Sequence, residues 1–155
     1  MKIWRSLLLA TLTSVILFPL YVKPGYSTDE QVLKPRVPAA KLSEVRGLKS
    51  MIITNTKSLA EAEEIFMGKG ACFTCHGERG KGDGEAGASF SPPPRDFTDI
   101  GWQKARADGE IYWAITKGTE YGMLAYEDML TAEERWTLVN YIRELGKRVG
   151  TISSR

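Results

Sequence analysis

Two cysteines and a single histidine are the only residues of their kinds in this chain of 155, and they stand together as Cys72-Phe73-Thr74-Cys75-His76. On one helical turn, positions i, i+3 and i+4 share a face. Two thiols so placed can bond to the vinyl groups along one side of a porphyrin, while the adjoining imidazole swings beneath the ring to bind its iron. Cys-x-x-Cys-His is the pattern of covalent haem attachment, which keeps the cofactor in an open compartment where a loosely held one is lost. The rival chemistries fit less well. A structural zinc ion needs four ligands, usually Cys and His, and the chain offers three. A thioredoxin-like dithiol requires a βαβ surround. A plain disulfide leaves the histidine without a role.

Closing off the iron requires a second axial ligand, and no second histidine exists. The remaining common choice is methionine sulfur. Met1 belongs to the leader, Met51 lies in a polar arm, and Met67 sits too close to the attachment turn to reach the other face. Met123 and Met129 remain, both in the loop before the last helix. Met123 is preferred: it follows Gly122 and lies 47 residues beyond His76, a separation that lets the chain pass round the haem edge. Met129, beside Leu130 and just before a helix cap, reads as a core contact, the commonest use of a thioether.

Three helices must position these groups. Ser58 and Glu61 form a capping-box pattern ahead of Leu59, Ala62, Ile65 and Phe66, with Gly68 and Gly70 as stops. A middle helix has Asp108 as N-cap, Ile111 and Ile115 on one face and Gly118 after Lys117. Thr131 and Glu134 open the last, whose stripe is Leu138, Tyr141, Ile142, Leu145 and Val149. No alternating run suggests a strand, so the expected fold class is all-α. Between the helices, Gly77 to Gly87 holds five glycines in eleven residues, followed by Pro92, Pro93 and Pro94. Such a stretch is a loop bending closely around something. It is not a phosphate cradle, because Lys81 is followed by Gly82 rather than Ser or Thr. Three short helices bury little apolar area, and loops this long are uncommon unless functional. A flat cofactor at the centre resolves both difficulties.

Residues 1–27 read as an export leader: Lys2 and Arg5, then an uncharged run of seventeen residues from Ser6 to Val22, with Gly25 and Ser27 before a cleavage point. An uncleaved membrane anchor is the other reading, at the short limit for a spanning helix and interrupted by Pro19. Either places the remainder outside the cytoplasm, in the periplasm. Residues 28–57 read as an extended arm or linker with a helical turn or two, 58–150 as the haem domain and 151–155 as a tail. Apolar residues make up 43% and charged ones 26%, the composition of a globular chain. The formal charge of +2 belongs to the leader: without Lys2, Arg5 and Lys23, 18 basic side chains face 19 acidic ones. Nucleic-acid binding, which needs a concentrated basic face, is not indicated.

From Ser58 to Gly146 the chain resembles the single-haem, periplasmic class I cytochromes c of bacteria. The resemblance runs through Cys72-x-x-Cys75-His76-Gly77, Gly80-Lys81-Gly82-Asp83-Gly84, Pro94-Arg95-Asp96-Phe97, Asp108-Gly109-Glu110-Ile111, Gly122-Met123 and Leu138-Val139-Asn140-Tyr141-Ile142. It implies a class I cytochrome c fold wrapped around one covalent haem c, with first and last helices crossing at Phe66 against Tyr141 or Ile142. It also implies a carbonyl of the Pro92–Pro94 run accepting the His76 ring N–H, and Arg95 and Trp102 at the haem propionates. Many relatives have Pro after the axial Met, where this chain has Leu124. The implied function is one-electron transfer between a redox protein donor and acceptor, not enzymatic catalysis, in a respiratory chain. Lys69, Arg79 and Lys81 near the haem edge are candidates to steer an acidic partner. The alternatives are a haem subunit of a larger membrane respiratory complex, and a ligand-binding haem enzyme or sensor.

Overall fold

The structure, a computed structural model, describes residues 29–152; the leader and the last three residues of the tail lie outside the described residues. Seven α-helices follow one another, with no strand among the described residues: α1 (Glu30–Leu33), α2 (Ala39–Arg46), α3 (Thr56–Met67), α4 (Phe73–His76), α5 (Ile100–Ala105), α6 (Asp108–Lys117) and α7 (Ala132–Ile152). None is long and apolar enough to cross a membrane.

The frame is the crossing of α3 and α7. Phe66 and Tyr141 meet with ring centroids 5.4 Å apart and planes tilted by 54°, and fully buried Ala62 lets the helices approach closely. Tyr141, Phe66, Leu138 and Val139 are the largest fully buried side chains. Burying each apolar side chain of this kind contributes about 1.5–3 kcal/mol, so this crossing anchors the fold. The α7 capping box forms as its sequence suggests, with Thr131 N donating to Glu134 and Glu134 N donating to Thr131 Oγ1.

Two caps differ from expectation. Helix α3 starts earlier, because Asn55 is an equally good cap: its Oδ1 accepts from Ser58 N at 2.9 Å, and Ser58 Oγ accepts from Asn55 N. Ser58 is therefore the inner member of the box, and Glu61 instead faces Lys57 at 3.7 Å. In α6 the N-cap is Ala107, whose N–H is bonded by Glu110, while Asp108 is drawn into a 2.7 Å ion pair with Arg143 of α7. Helix α5 had no sequence expectation; six residues are too few for a visible stripe, although Asp99 caps it through Trp102 N.

The arm expected over residues 28–57 has the short helices α1 and α2 anticipated for it, and its described residues 29–46 form a strap folded onto the domain rather than an extended arm. Arg95 Nη1 donates to the carbonyls of Gln31 and Val32, its Nη2 to that of Lys34, and Arg106 to that of Leu33. Val45 of α2 packs so tightly on α6 that a Cβ on Gly109 would fall 1.7 Å from the Val45 carbonyl oxygen. Isolated helical periodicity could not announce this, because α1 is held by its carbonyls and α2 by buried Val45 and the Arg46–Glu110 ion pair.

Candidate functional site

Cys72, Cys75 and His76 line one cavity together with Met123, Pro94, Arg95 and Trp102. All seven residues singled out in the sequence therefore converge. The attachment turn is fixed from behind. Gly77 leaves α4 at φ +75°, and a Cβ there would lie 1.9 Å from Asp83 Oδ1. The chain folds back, so that Gly82 N donates to the His76 carbonyl at 2.8 Å and Gly84 N to that of Cys75 at 3.1 Å. The glycine stretch, with one 3-10 turn at Glu85–Gly87, is a brace for the turn.

His76 is buried, with its Nδ1 3.1 Å from the Arg95 carbonyl oxygen. A carbonyl only accepts, so Nδ1 carries the proton and Nε2 keeps its lone pair for a metal. The ring stacks on Phe97, centroids 4.3 Å apart and planes 18° from parallel. Burial lowers the imidazole pKa to about 4, the Arg95 hydrogen bond opposing this, so the ring is neutral at pH 7 as a ligand must be. Burial also pushes the Cys72 thiol up to about 11. The acceptor was expected in the Pro92–Pro94 run. It is one residue further on, because Phe97 N bonds the Gly80 carbonyl at 2.7 Å and that register presents the Arg95 carbonyl to the ring. Pro94 instead packs against Gly87, where an added Cβ would meet its Cγ at 2.5 Å.

Met123 comes to this cavity from the loop between α6 and α7, and with Phe66, Leu138 and Ile142 also bounds a small apolar cleft beside Cys72 and His76. Met129 is 56% exposed and Met51 93% exposed. The core role expected for Met129 is therefore not what the structure gives; Leu130, its neighbour, is buried instead. The Met123 loop is pinned on both sides. Thr119 N donates to the Met123 carbonyl and Tyr126 N to that of Ile115, both at 3.0 Å. Arg135 Nη1 binds the carbonyls of Leu130 and Glu127. Gly122, at φ +97°, makes room for the Phe90 ring, which an added Cβ would approach to 2.7 Å. Leu124 is 70% exposed, and the loop around it is held by the backbone bonds of Thr119 and Tyr126.

Of the two residues expected at the propionates, Trp102 has its indole Nε1 buried with no hydrogen-bond partner. The Arg95 guanidinium is turned to the strap carbonyls. Sequence reasoning missed two others on the cavity wall, Arg36 and Arg106, each with a buried Nε lacking a partner. Buried donors without acceptors are costly. Three around one cavity indicate a ligand bearing acceptor oxygens at this edge, and the remaining wall, with Phe97, Ile111, Ile115 and Ile142, is apolar. Among the described residues no group of three or more His, Cys, Asp or Glu side chains can hold a metal ion. The residues present fit a haem: two thiols, one neutral imidazole, a thioether on the same cavity, apolar walls and a polar end. Of the basic residues expected to steer a partner, Lys69 is paired with Glu134 at 2.6 Å, while Arg79 and Lys81 are exposed.

The model of the family described as cytochrome C oxidase, cbb3-type, subunit III, matches residues 57–142, from the first turn of α3 into α7. No curated protein matches the sequence. Among solved structures, a chain of the Kuenenia stuttgartiensis reducing HAO-like protein complex Kustc0457/Kustc0458 is similar at 26% identity and TM-score 0.55, over 64% of this chain and 48% of that one. The KustC0563 c-type cytochrome is 30% identical over 54% of this chain and 95% of its own, with TM-score 0.46. The match thus spans about half the length of the first of these.

Proposed function

Because the chain belongs to the cytochrome c family described as cytochrome C oxidase, cbb3-type, subunit III, we propose that it is an exported one-electron carrier. Cys72 and Cys75 would hold a single haem c by covalent bonds, and His76 and Met123 would offer their nitrogen and sulfur to its iron. The observation that carries this is the buried, neutral imidazole of the attachment turn sharing one apolar cavity with a methionine. When bound, the group supplies an iron that cycles between ferrous and ferric.

The chain's own residues do the rest. Arg95 orients the His76 ring and fixes its tautomer through the backbone carbonyl, a contact of the kind that raises ligand basicity. Phe97 covers the ring and excludes water from it. Met123, a soft thioether, favours the ferrous state and so raises the reduction potential. The match to a cytochrome c family supports a carrier rather than an enzyme. The setting proposed is the periplasm, in a respiratory chain, with redox proteins as donor and acceptor.

The test is direct. Protein matured in a host that attaches haem c should keep its pigment on the polypeptide through heat and acid-acetone extraction, and show the sharp reduced bands of six-coordinate low-spin haem. Pigment released into the solvent, or absent, overturns the reading.

A second reading, a fixed haem subunit of a larger complex, is favoured by the similarity to a chain from a multi-protein complex and by the family's description as an oxidase subunit. Native size-exclusion of the periplasmic and membrane fractions separates the two: a free carrier elutes at its own mass, a subunit with its complex.

A further inference from the structure

The strap precedes the stretch matched by the family, 57–142, yet it reaches the cavity. Arg36 and Val37 both line it. Arg36 lies between two other cavity segments: its Nη2 donates to the Pro93 carbonyl at 2.7 Å, and its Cζ stands 5.3 Å from the centroid of the Tyr121 ring. Its Nε is buried and unbonded. The side chain has little freedom to seek a partner elsewhere. The strap on its N-terminal side is tied down by Arg95 and Arg106, and on the other side Arg46 of α2 pairs with Glu110 at 3.1 Å.

Charge makes the case independently of hydrogen bonding. Arg36 and Arg106 stand at the cavity with one carboxylate, that of Glu110, while the Arg95 guanidinium is turned to the strap carbonyls. Arg106 and Arg46 already share that carboxylate. Partly buried charge without a counter-charge is unfavourable, so the cavity favours negative charge beside Arg36, and guanidinium forks match carboxylates best. The two propionates of a haem supply that charge.

We propose that the strap is part of the cofactor site, with Arg36 a haem-propionate ligand that completes a clamp with Arg106 and Trp102. This rests on the haem reading above. A cation held at the propionate edge disfavours the ferric iron, so Arg36 raises the reduction potential beyond what the family-matched domain achieves alone.

The experiment compares the full-length, haem-loaded wild type with Arg36→Gln and Arg36→Lys. Covalent haem content is measured first; its absence in the wild type defeats the haem reading itself. With content equal, Arg36→Gln shifts the ferrous/ferric equilibrium toward ferric about tenfold, which is about 59 mV for one electron, and Arg36→Lys restores most of the shift. A brace for the Pro93 loop alone would alter melting temperature without moving the potential, and a potential unchanged in Arg36→Gln overturns the proposal. Should that variant not mature, the propionate bending band in the resonance Raman spectrum decides. It shifts between wild type and Arg36→Lys if Arg36 bonds a propionate, and an identical band in both overturns the assignment.

Discussion

The two faces of the cavity are built differently. On the His76 side the ligand sits inside the attachment motif itself, buried, hydrogen-bonded through Nδ1 and stacked on Phe97. On the Met123 side the thioether rides on a loop, half-buried, next to an exposed Leu124, and the loop is held by bonds anchored at Thr119, Tyr126 and Arg135. One face is fixed by close packing of rings, the other by a turn that can open at the cost of a few hydrogen bonds, each worth about 0.5–1.5 kcal/mol net. The His76 side is thus held by burial and ring packing, the Met123 side by a few backbone bonds.

Substitutions at each face test that contrast. The largest effect belongs to His76→Ala, which removes the buried ligand: low-spin bands are lost while the thiols still hold the pigment, and persistence of sharp low-spin bands would show that another residue ligates. Met123→Ala comes next. It should give a high-spin spectrum that takes up carbon monoxide readily with attachment intact, whereas Met129→Ala, at an exposed position, leaves the bands unchanged; the opposite pattern would exchange the two residues' roles.

Phe97→Ala separates packing from ligation. It should cost about 3–5 kcal/mol in denaturant unfolding, as for other buried aromatics, with little change in the reduced spectrum, and a loss below 1 kcal/mol would mean that the His76 face is not held by ring packing. The smallest effect is expected for Gly122→Ala, where positive φ costs roughly 1–2 kcal/mol and half-exposed Phe90 can shift aside. Its signature is kinetic: carbon monoxide binds faster than to wild type because the Met123 loop opens more often. Equal rates would show the loop to be as rigid as the opposite face.

The helix stripes of α3 and α7 and the turn Cys72–His76 were legible because their information is local. Capping pairs, apolar spacing and ligand spacing each lie within a few turns of chain. Met123 could be preferred over Met129 from its place in the loop, and the structure puts the former on the cavity and the latter at the surface. The helix starts at Asn55 and Ala107 were missed by one to three residues because equivalent caps lie close together in sequence.

What the amino-acid order determined by itself was the chemistry: two thiols and one imidazole at the spacing of a helical turn, with two methionine sulfurs, Met123 and Met129, far enough along the chain to reach them. Which carbonyl orients His76, where Arg36 and Arg106 lie, and that residues 29–46 are a folded strap were decided by tertiary structure alone. Each depends on partners 19 to 73 residues apart in sequence. Contacts at that range leave no periodic trace, because they join single carbonyls and single guanidiniums rather than whole faces.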